Sequence, residues 1–338
     1  MTIRLLLIYV LCGSLLLVGA GITEAQNQIV PMKSSILHEP PPYWAYVINP
    51  PSAEAAAATQ MPDSTLRRVP ESNAAFTLSQ TTDFFSPPDW HSADHPAMPG
   101  IVSHGRAPEI FACGYCHLPN GQGRPENASL AGLPVRYMVQ QLADFKNGLR
   151  RSSEPRHGPT SKMIASETKA DGNETRAAAE YFSALKAKPW IRVVETELVP
   201  KTQVAGWMLV PSEAGETEPI GQRIIETPEN LKRTELRDDH SGFIAYVPVA
   251  SIKQGEMLAS GDASKALRCA TCHGRDLKGS NKVPGIAGRS PSYMVRQLYD
   301  IQHGSRAGAA ANRMKPVVAK LTVDDMLSLA AYLASLSP

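Results

Sequence analysis

Two stretches of the chain share one pattern of hydrophobic and polar positions. In "YMVQQLADFKNG" (residues 137–148), apolar side chains stand at Met138, Leu142 and Phe145, and the same spacing recurs in "YMVRQLYDIQHG" (residues 293–304). Apolar residues at i, i+4 and i+7 predict an amphipathic helix in each stretch. Because the two stretches are near-copies, they indicate two homologous units rather than one.

The ends of these helices are also marked in the sequence. Ser290 followed by Pro291 predicts an N-cap and a first helical position. Gly148 and Gly304 suit the position just past a helix end, where a left-handed backbone is needed.

A closing helix is predicted at the end of each unit. "TVDD" (residues 322–325) reads as a capping box, and Met326, Leu329 and Leu333 continue it as an apolar stripe. "DGNE" (residues 171–174) holds the same register in the first copy, before "AAEYFSAL". The pattern therefore predicts a mainly α protein built from residues 100–187 and 250–338.

The pattern changes outside the two units. Residues 26–99 are rich in Pro and aromatic residues, which predicts extended segments that pack over the units, or else a docking surface for a partner. Residues 188–249 contain the β-rich runs "WIRVVETE", "TQVAGWMLVP" and "GQRIIETP". We expect a structured bridge with a hairpin or two there; a flexible tether is the alternative.

The first 25 residues have the features of an export signal. A positive start, "MTIR", precedes the uncharged apolar run Leu5–Ile22, and Ala25 ends a plausible cleavage site. We therefore expect a signal peptide at residues 1–25 and a periplasmic protein. The alternative is an uncleaved segment that holds the protein at the membrane.

Charge excludes one class of function. Of 338 residues, 34 are Lys or Arg and 32 are Asp or Glu, which gives a net charge of +2. Nucleic-acid binding needs clustered basic residues, and the sequence has no long basic run. We expect no nucleic-acid partner.

The cysteines form two copies of one motif. "CGYCH" and "CATCH" place Cys113, Cys116, His117, Cys269, Cys272 and His273. C-x-x-C-H is the attachment signature of c-type haem: two thiols bond to the porphyrin and the adjacent imidazole ligates the iron. The alternatives are a disulfide in each pair, a zinc site from both pairs, or a thioredoxin-like redox pair. The duplicated histidines and the export signal favour two covalently bound haem c groups.

One methionine per unit is the candidate second iron ligand. Met163 and Met314 precede the closing helices by the same distance, although five more residues separate Met163 from the preceding helix. A thioether at the start of a loop suits the face of the haem opposite the histidine. His104 and His157 also lie in the first unit and are the competing candidates there.

These motifs together resemble those of class I cytochrome c domains, two in tandem, in about half of the chain. The resemblance implies axial ligation by His117 with Met163 and by His273 with Met314. It also implies a Pro before the middle helix whose carbonyl orients the histidine. Pro284 fits that position, whereas the first copy has Ala128.

The resemblance further implies a close crossing between the first and last helices of each unit. Gly105 and Gly255 are the candidates for the crossing points, beside Tyr181 and Tyr332.

Function follows as an expectation. Two haem sites and no plausible acid–base or nucleophile constellation predict a carrier of single electrons and not an enzyme. Its partners would be redox proteins: a periplasmic dehydrogenase as donor, and a terminal oxidase or another cytochrome as acceptor. The alternatives are a dihaem peroxidase, or a redox or gas sensor in which Met163 is displaceable.

One further motif pairs histidines with an acid. "HSADH" places His91 and His95 close together, but no third ligand is evident and Pro96 breaks the local helix. We expect a surface loop here rather than a metal site.

Overall fold

The computed structural model describes residues 40–51, 63–212, 214–261 and 268–338. The signal peptide predicted for residues 1–25 lies outside these ranges. Within the described ranges, no helix is both long and apolar enough to cross a membrane.

The described part of the N-terminal extension, residues 40–51 and 63–99, has little regular structure but packs on the rest of the chain. It contains α1 (Leu78–Thr81) and a 3₁₀ turn (Ser92–Asp94). Trp44 and Tyr46 are buried in the core of the C-terminal unit. Trp90 is buried as well, and its Nε1 donates a hydrogen bond to the carbonyl of Leu236. The expectation that aromatic residues of the extension pack on the units is confirmed for Trp44 and Tyr46, whereas Trp90 contacts the bridge.

The "HSADH" loop departs from expectation. His91 is only 6% exposed and lies against Asp238, at 3.0 Å from Nε2 to Oδ1. The prediction of a surface loop is thus wrong for His91, because a segment more than a hundred residues away covers it.

The first helical unit follows the extension. Its helices are α2 (Gly100–Ser103), α3 (Cys113–His117), α4 (Val135–Lys146), α5 (Gly158–Lys169) and α6 (Gly172–Ala184). Asp171 caps α6, and Glu174 completes the predicted capping box by accepting a hydrogen bond from the Asp171 amide. Buried side chains of α2, α4 and α6 form one core.

The bridge is folded, as expected. Its elements are β1 (Ile191–Glu195), β2 (Leu198–Pro200), β3 (Thr202–Ala205), β4 (Met208–Pro211), β5 (Thr217–Pro219), β6 (Ile225–Pro228), α7 (Leu231–Glu235) and β7 (Phe243–Val247). β3 and β4 form a hairpin, and β2 pairs antiparallel with β5. The hairpin turns at Gly206 and Trp207, which both have positive φ, as a type I′ turn requires.

The bridge also contains a three-stranded sheet. Its order is β1–β7–β6, with β1 parallel to β7 and β6 antiparallel to it. Parallel pairing joins the two ends of the bridge, and no local sequence pattern reports it.

The second helical unit repeats the first. Its helices are α8 (Ser251–Ser260), α9 (Ala270–His273), α10 (Pro291–Gln302), α11 (Ala309–Asn312), α12 (Lys315–Val318) and α13 (Val323–Ser335). Ser290 caps α10, and Thr322 with Asp325 forms the predicted capping box of α13. Gly148 and Gly304 follow the ends of α4 and α10 with φ of 69° and 78°, so the predicted helix stops are confirmed.

The crossing glycines have different outcomes. A Cβ on Gly255 of α8 would strike the carbonyl of Ser328 and lie 2.7 Å from Cβ of Tyr332 in α13, so this is the close crossing predicted. The prediction for Gly105 is wrong. Gly105 has a φ of 61° in a turn, and its missing Cβ faces the carbonyl of Ile110 instead of the last helix.

The repeated stretches meet where the two units adjoin. We call six side chains the inter-unit cluster: Tyr137, Gln141, Arg150, Tyr293, Gln297 and Arg306. Arg150 donates to Tyr293 Oη and to Gln297 Oε1, both at 3.0 Å. Arg306 makes the reciprocal bonds, at 3.0 Å to Tyr137 Oη and 2.6 Å to Gln141 Oε1.

The backbone reinforces this pairing. Arg150 and Arg306 form an isolated antiparallel bridge. The amide of Arg151 donates to the carbonyl of Ser305, and the amide of Ala307 donates to that of Leu149. Equivalent residues of the two copies thus contact each other across an approximate two-fold axis.

Candidate functional site

The first C-x-x-C-H motif forms the short helix α3. Gly114 lets α3 approach α2, because a Cβ there would come within 2.9 Å of the carbonyl of Val102. Cys113 and Cys116 are not in a disulfide, and both line a cleft of the first unit together with His117. The disulfide alternative is therefore not what the structure shows.

The cleft is mostly apolar and reaches the neighbouring unit. Its apolar lining includes Ile101, Leu130, Leu142, Phe145, Ala178 and Phe182. Arg150 also borders it, as do Tyr293 and Arg296 from the second unit. An apolar slot with cations at one side suits a flat apolar ring that carries carboxylates at one edge.

His117 is held in the form that binds a metal. It is only 9% exposed, and its Nδ1 donates a 2.8 Å hydrogen bond to the carbonyl of Ala128. A carbonyl can only accept, so the proton sits on Nδ1 and the lone pair on Nε2. Burial lowers the pKa of His117 to about 4, so the ring is neutral at physiological pH.

The substitution of Ala128 for a proline leaves this contact intact. His273 makes the equivalent bond, donating from Nδ1 to the carbonyl of Pro284 at 2.9 Å. A backbone carbonyl orients each histidine, so the side chain of the residue that provides the carbonyl, Ala128 or Pro284, does not matter for this contact.

Burial disfavours the thiolate form of both cysteines in the first motif. Burial raises the pKa of Cys113 to about 12 and also raises that of Cys116. A thioredoxin-like cysteine needs the opposite shift, since its reactivity depends on a thiolate at neutral pH.

Met163 borders the same cleft but not in the predicted setting. It was expected at the start of a loop, and it lies instead in the second turn of the twelve-residue helix α5. Pro159 near the start of that helix favours helix initiation, and the extra residues of the first copy form the turn before it. The cleft therefore brings together Cys113, Cys116, His117 and Met163.

His157 is a further polar group of the cleft. It is 2% exposed, its Nδ1 lies 2.9 Å from Thr160 Oγ1, and its Nε2 has no hydrogen-bond partner among the described residues. Burial lowers its pKa to about 3. In the sequence, the feature that could have pointed to His157 is the five-residue insertion in which it lies. His104, the other candidate, is exposed and contacts Ser103.

The residues predicted to hold the second haem lie around the core of the C-terminal unit. His273 is 7% exposed. Cys269 and Met314 pack against the same hydrophobic cluster, in which Met294 and Met326 are buried, whereas Cys272 is exposed. Met314 immediately precedes α12, as the N-cap of that short helix.

Comparison with known proteins identifies the family. The cytochrome c family matches the chain twice, over residues 106–186 and 258–337. Cytochrome c-554(548) of Halomonas halodenitrificans is 32% identical over 81 residues, 98% of its length and 22% of this chain. The chain belongs to the cytochrome c family.

Longer relatives cover both cytochrome c domains. Cytochrome c4 of Azotobacter vinelandii is 24% identical over 247 residues, which are 72% of this chain and 91% of the relative. The thiosulfate dehydrogenase electron acceptor of Thiomonas intermedia is 26% identical over 238 residues, 68% of this chain and 82% of the relative. The predicted fold of two cytochrome c domains in tandem is thus confirmed, and the protein carries two covalently bound haem c groups.

The residues of the first cleft fit such a group. Two adjacent thiols, a neutral imidazole with a free Nε2, a thioether and an apolar lining are the donors and surroundings that haem c requires. Two buried polar atoms of this cleft have no hydrogen-bond partner among the described residues: Nε2 of His157 and Oε2 of Glu126.

Proposed function

We propose that this cytochrome carries single electrons between a donor dehydrogenase and an acceptor in the periplasm. His117 with Met163 and His273 with Met314 would be the axial ligands of its two haems. The observation that carries the proposal is the first cleft, in which both thiols, the imidazole and the thioether lie together. Haem iron, when bound there, supplies a reversible one-electron couple.

The chain's own residues set the conditions for that couple. The carbonyls of Ala128 and Pro284 fix the histidine tautomers and orient the rings. Met163 and Met314 offer neutral, soft sulfur, which favours the reduced metal and raises the potential. Arg150 and Arg296 place positive charge beside the first cleft, where it can offset the negative charge of the haem carboxylates.

The placement of the domains supports transfer along the chain. The first cleft is lined by residues of both domains, so the first haem site adjoins their interface. The inter-unit cluster ties the repeated helices there, which holds the sites at a fixed separation.

The partners follow from the relatives. Because a relative is the electron acceptor of a thiosulfate dehydrogenase, we infer that the donor here is also a dehydrogenase. A terminal oxidase or another cytochrome would be the acceptor. Periplasmic location rests on the export signal of residues 1–25.

Absorption spectroscopy tests the ligands. The oxidised protein should show the weak near-infrared band of methionine bound to ferric haem, at the intensity of two haems. Met163→Ala and Met314→Ala should each remove about half of it, since each sulfur would serve one iron. Reductive titration should take up one electron per haem.

A matched substitution controls for nonspecific effects. Met257→Ala changes an exposed methionine and should leave the band unchanged. If Met163→Ala leaves the full band, or the unaltered protein shows the band of one haem only, then the first haem has another ligand and the assignment fails.

A further inference from the structure

Two adjacent buried carboxylates of the bridge have very different surroundings. Asp238 and Asp239 are each 2% exposed. Asp238 accepts hydrogen bonds from Arg233 Nε at 2.5 Å and from the amide of His240 at 3.0 Å. Neither oxygen of Asp239 has a hydrogen-bond partner anywhere in the part of the chain that the structure describes. A buried carboxylate without donors is costly, so it calls for a positive ligand.

Two imidazoles stand beside this carboxylate. His91 from the extension and His240 from the bridge stack with ring centroids 3.6 Å apart. His91 Nε2 lies 3.9 Å from Asp239 Oδ1. One ligand atom from each of His91, Asp239 and His240 lies within 4.8 Å of the others.

We propose that His91, Asp239 and His240 bind a divalent transition-metal ion of the zinc class, separate from both haem irons. Two imidazoles and one carboxylate form a donor set that Zn²⁺ favours. The ion would bind the carboxylate of Asp239, to which none of the described groups donates a hydrogen bond.

Neighbouring carboxylates orient the two histidines. Asp238 Oδ1 lies 3.0 Å from His91 Nε2, and Asp94 Oδ2 lies 2.9 Å from His240 Nε2. Carboxylates of this kind commonly stand behind metal-binding histidines, where they fix ring orientation and raise basicity. Because they contact Nε2 of each ring, Nδ1 is the nitrogen left to bind the ion. The nearby ammonium of Lys188 pairs with Asp94, at 3.3 Å, and not with Asp239.

Binding requires a small closure of the cluster. Metal–ligand bonds of about 2.0–2.2 Å place the atoms of a tetrahedral site about 3.3 Å apart. The ligand atoms must therefore draw together, and the stacked rings must tilt so that their lone pairs converge. His240 has room to do so because its side chain is 27% exposed, and that open side also admits a water as fourth ligand.

The site would fasten three parts of the protein. His91 belongs to the extension, and Asp239 and His240 belong to the bridge. Asn120 of the first domain donates from Nδ2 to the carbonyl of Asp239 at 2.6 Å, only three residues after His117. An ion here would hold the extension and the bridge against the loop that follows the first haem-binding motif.

Zinc titration of the haem-loaded, full-length protein tests the proposal. After dialysis against a chelator, elemental analysis and calorimetry should show one Zn²⁺ bound per chain. Asp239→Asn and His91→Gln should each weaken binding at least tenfold, because even outer partners of metal ligands contribute about 10–100-fold. Equal zinc binding by the unaltered protein and Asp239→Asn would overturn the proposal.

His104→Gln is the matched control. It makes the same change at an exposed histidine of the first domain and should leave zinc binding unaltered. If it abolishes binding as His91→Gln does, the ion binds elsewhere and the assignment is wrong.

Thermal unfolding separates loss of a ligand from loss of the fold. In chelator, Asp239→Asn should be at least as stable as the unaltered protein, since it removes a buried charge that accepts no hydrogen bond. Added Zn²⁺ should raise the unfolding temperature of the unaltered protein and not that of the variant. A variant that is less stable in chelator would show instead that the carboxylate serves the metal-free fold.

Discussion

At the scale of single residues, the second domain depends on one missing side chain. Gly255 lets α8 cross α13 so closely that a Cβ would strike the Ser328 carbonyl and Tyr332. The buried residues of both helices belong to the core cluster that Cys269 and Met314 contact. The crossing therefore sets the position of the second haem site.

Gly255→Ala should destabilise this crossing. The added methyl forces the helices apart, and overpacking of this kind costs about 1–3 kcal/mol. Guanidinium unfolding followed by circular dichroism would measure the loss. Gly172→Ala is the control, because nothing lies within 4 Å of its added Cβ at the start of α6. Equal effects of the two substitutions would show that the crossing tolerates a methyl.

At the scale of elements, a strand of the bridge caps a helix of the second domain. Glu226 of β6 accepts hydrogen bonds from the amide of Ser292 at 2.9 Å and from the hydroxyl of Ser290 at 2.8 Å. Its carboxylate thus sits at the N-terminus of α10, where negative charge is favourable. Its Oε1 nevertheless finds no partner among the described residues, and burial raises its pKa.

This carboxyl should make stability depend on pH. The pKa of Glu226 is higher in the folded than in the unfolded protein. Its contribution to folding stability is therefore complete below the pKa of the unfolded state, and it declines as pH rises through the pKa of the folded state. The free energy of unfolding of Glu226→Gln, compared with that of the unaltered protein, should therefore be higher at pH 8 than at pH 5. Guanidinium unfolding at the two pH values measures the difference.

The control for this titration is Glu235→Gln. Glu235 is exposed on α7, so its substitution should shift stability by similar small amounts at both pH values. A Glu226→Gln variant with the same pH profile as the unaltered protein would contradict the role given to burial.

Element boundaries were largely predictable, and the exceptions have physical causes. Ser290, Gly148 and Gly304 mark helix ends through local backbone chemistry, which sequence reports directly. Met163 lies in α5, and no periodic pattern in the sequence marks that helix.

At the scale of the whole molecule, the inter-unit cluster holds two domains that otherwise adjoin through polar groups. Burial alone would raise the pKa of Tyr137, yet Arg306 and Arg150 outweigh it and lower the pKa. Arg306 thus interacts electrostatically with a phenol of the opposite domain.

Arg306→Met should uncouple the domains. It removes the donor to Tyr137 Oη and Gln141 Oε1, and charged hydrogen bonds contribute about 1.5–3 kcal/mol. Calorimetry should show the single unfolding transition broaden or split in two. Arg150→Met should behave alike, since its bonds mirror those of Arg306.

Arg176→Met is the control on the outer face of α6. Arg176 is exposed and has only a distant ion pair, 3.8 Å from Glu180. It should leave the transition unchanged. If Arg306→Met also leaves a single sharp transition of unchanged temperature, the cluster does not couple the domains.

Contacts between residues far apart in the chain could not be predicted from the sequence. The histidine carbonyl bond of the first domain was in doubt because Ala128 replaces a proline, yet a backbone atom makes it. No sequence pattern links Asp239 and His240 to His91, since only the folded bridge brings them together. The duplicated haem motifs, by contrast, could be predicted, because covalent attachment of haem uses residues that are close together in the chain.

The two-fold character of the inter-unit cluster points to its history. A surface that recognises its own repeat is what a symmetric homodimer possesses. Each arginine of the cluster bonds to the tyrosine and glutamine of the opposite copy, as partners in such a dimer would. The contact thus has the form expected if an ancestral single-haem protein associated with itself before gene duplication joined two copies. In the joined chain the bridge connects the two copies covalently, so the haems stay paired at any protein concentration.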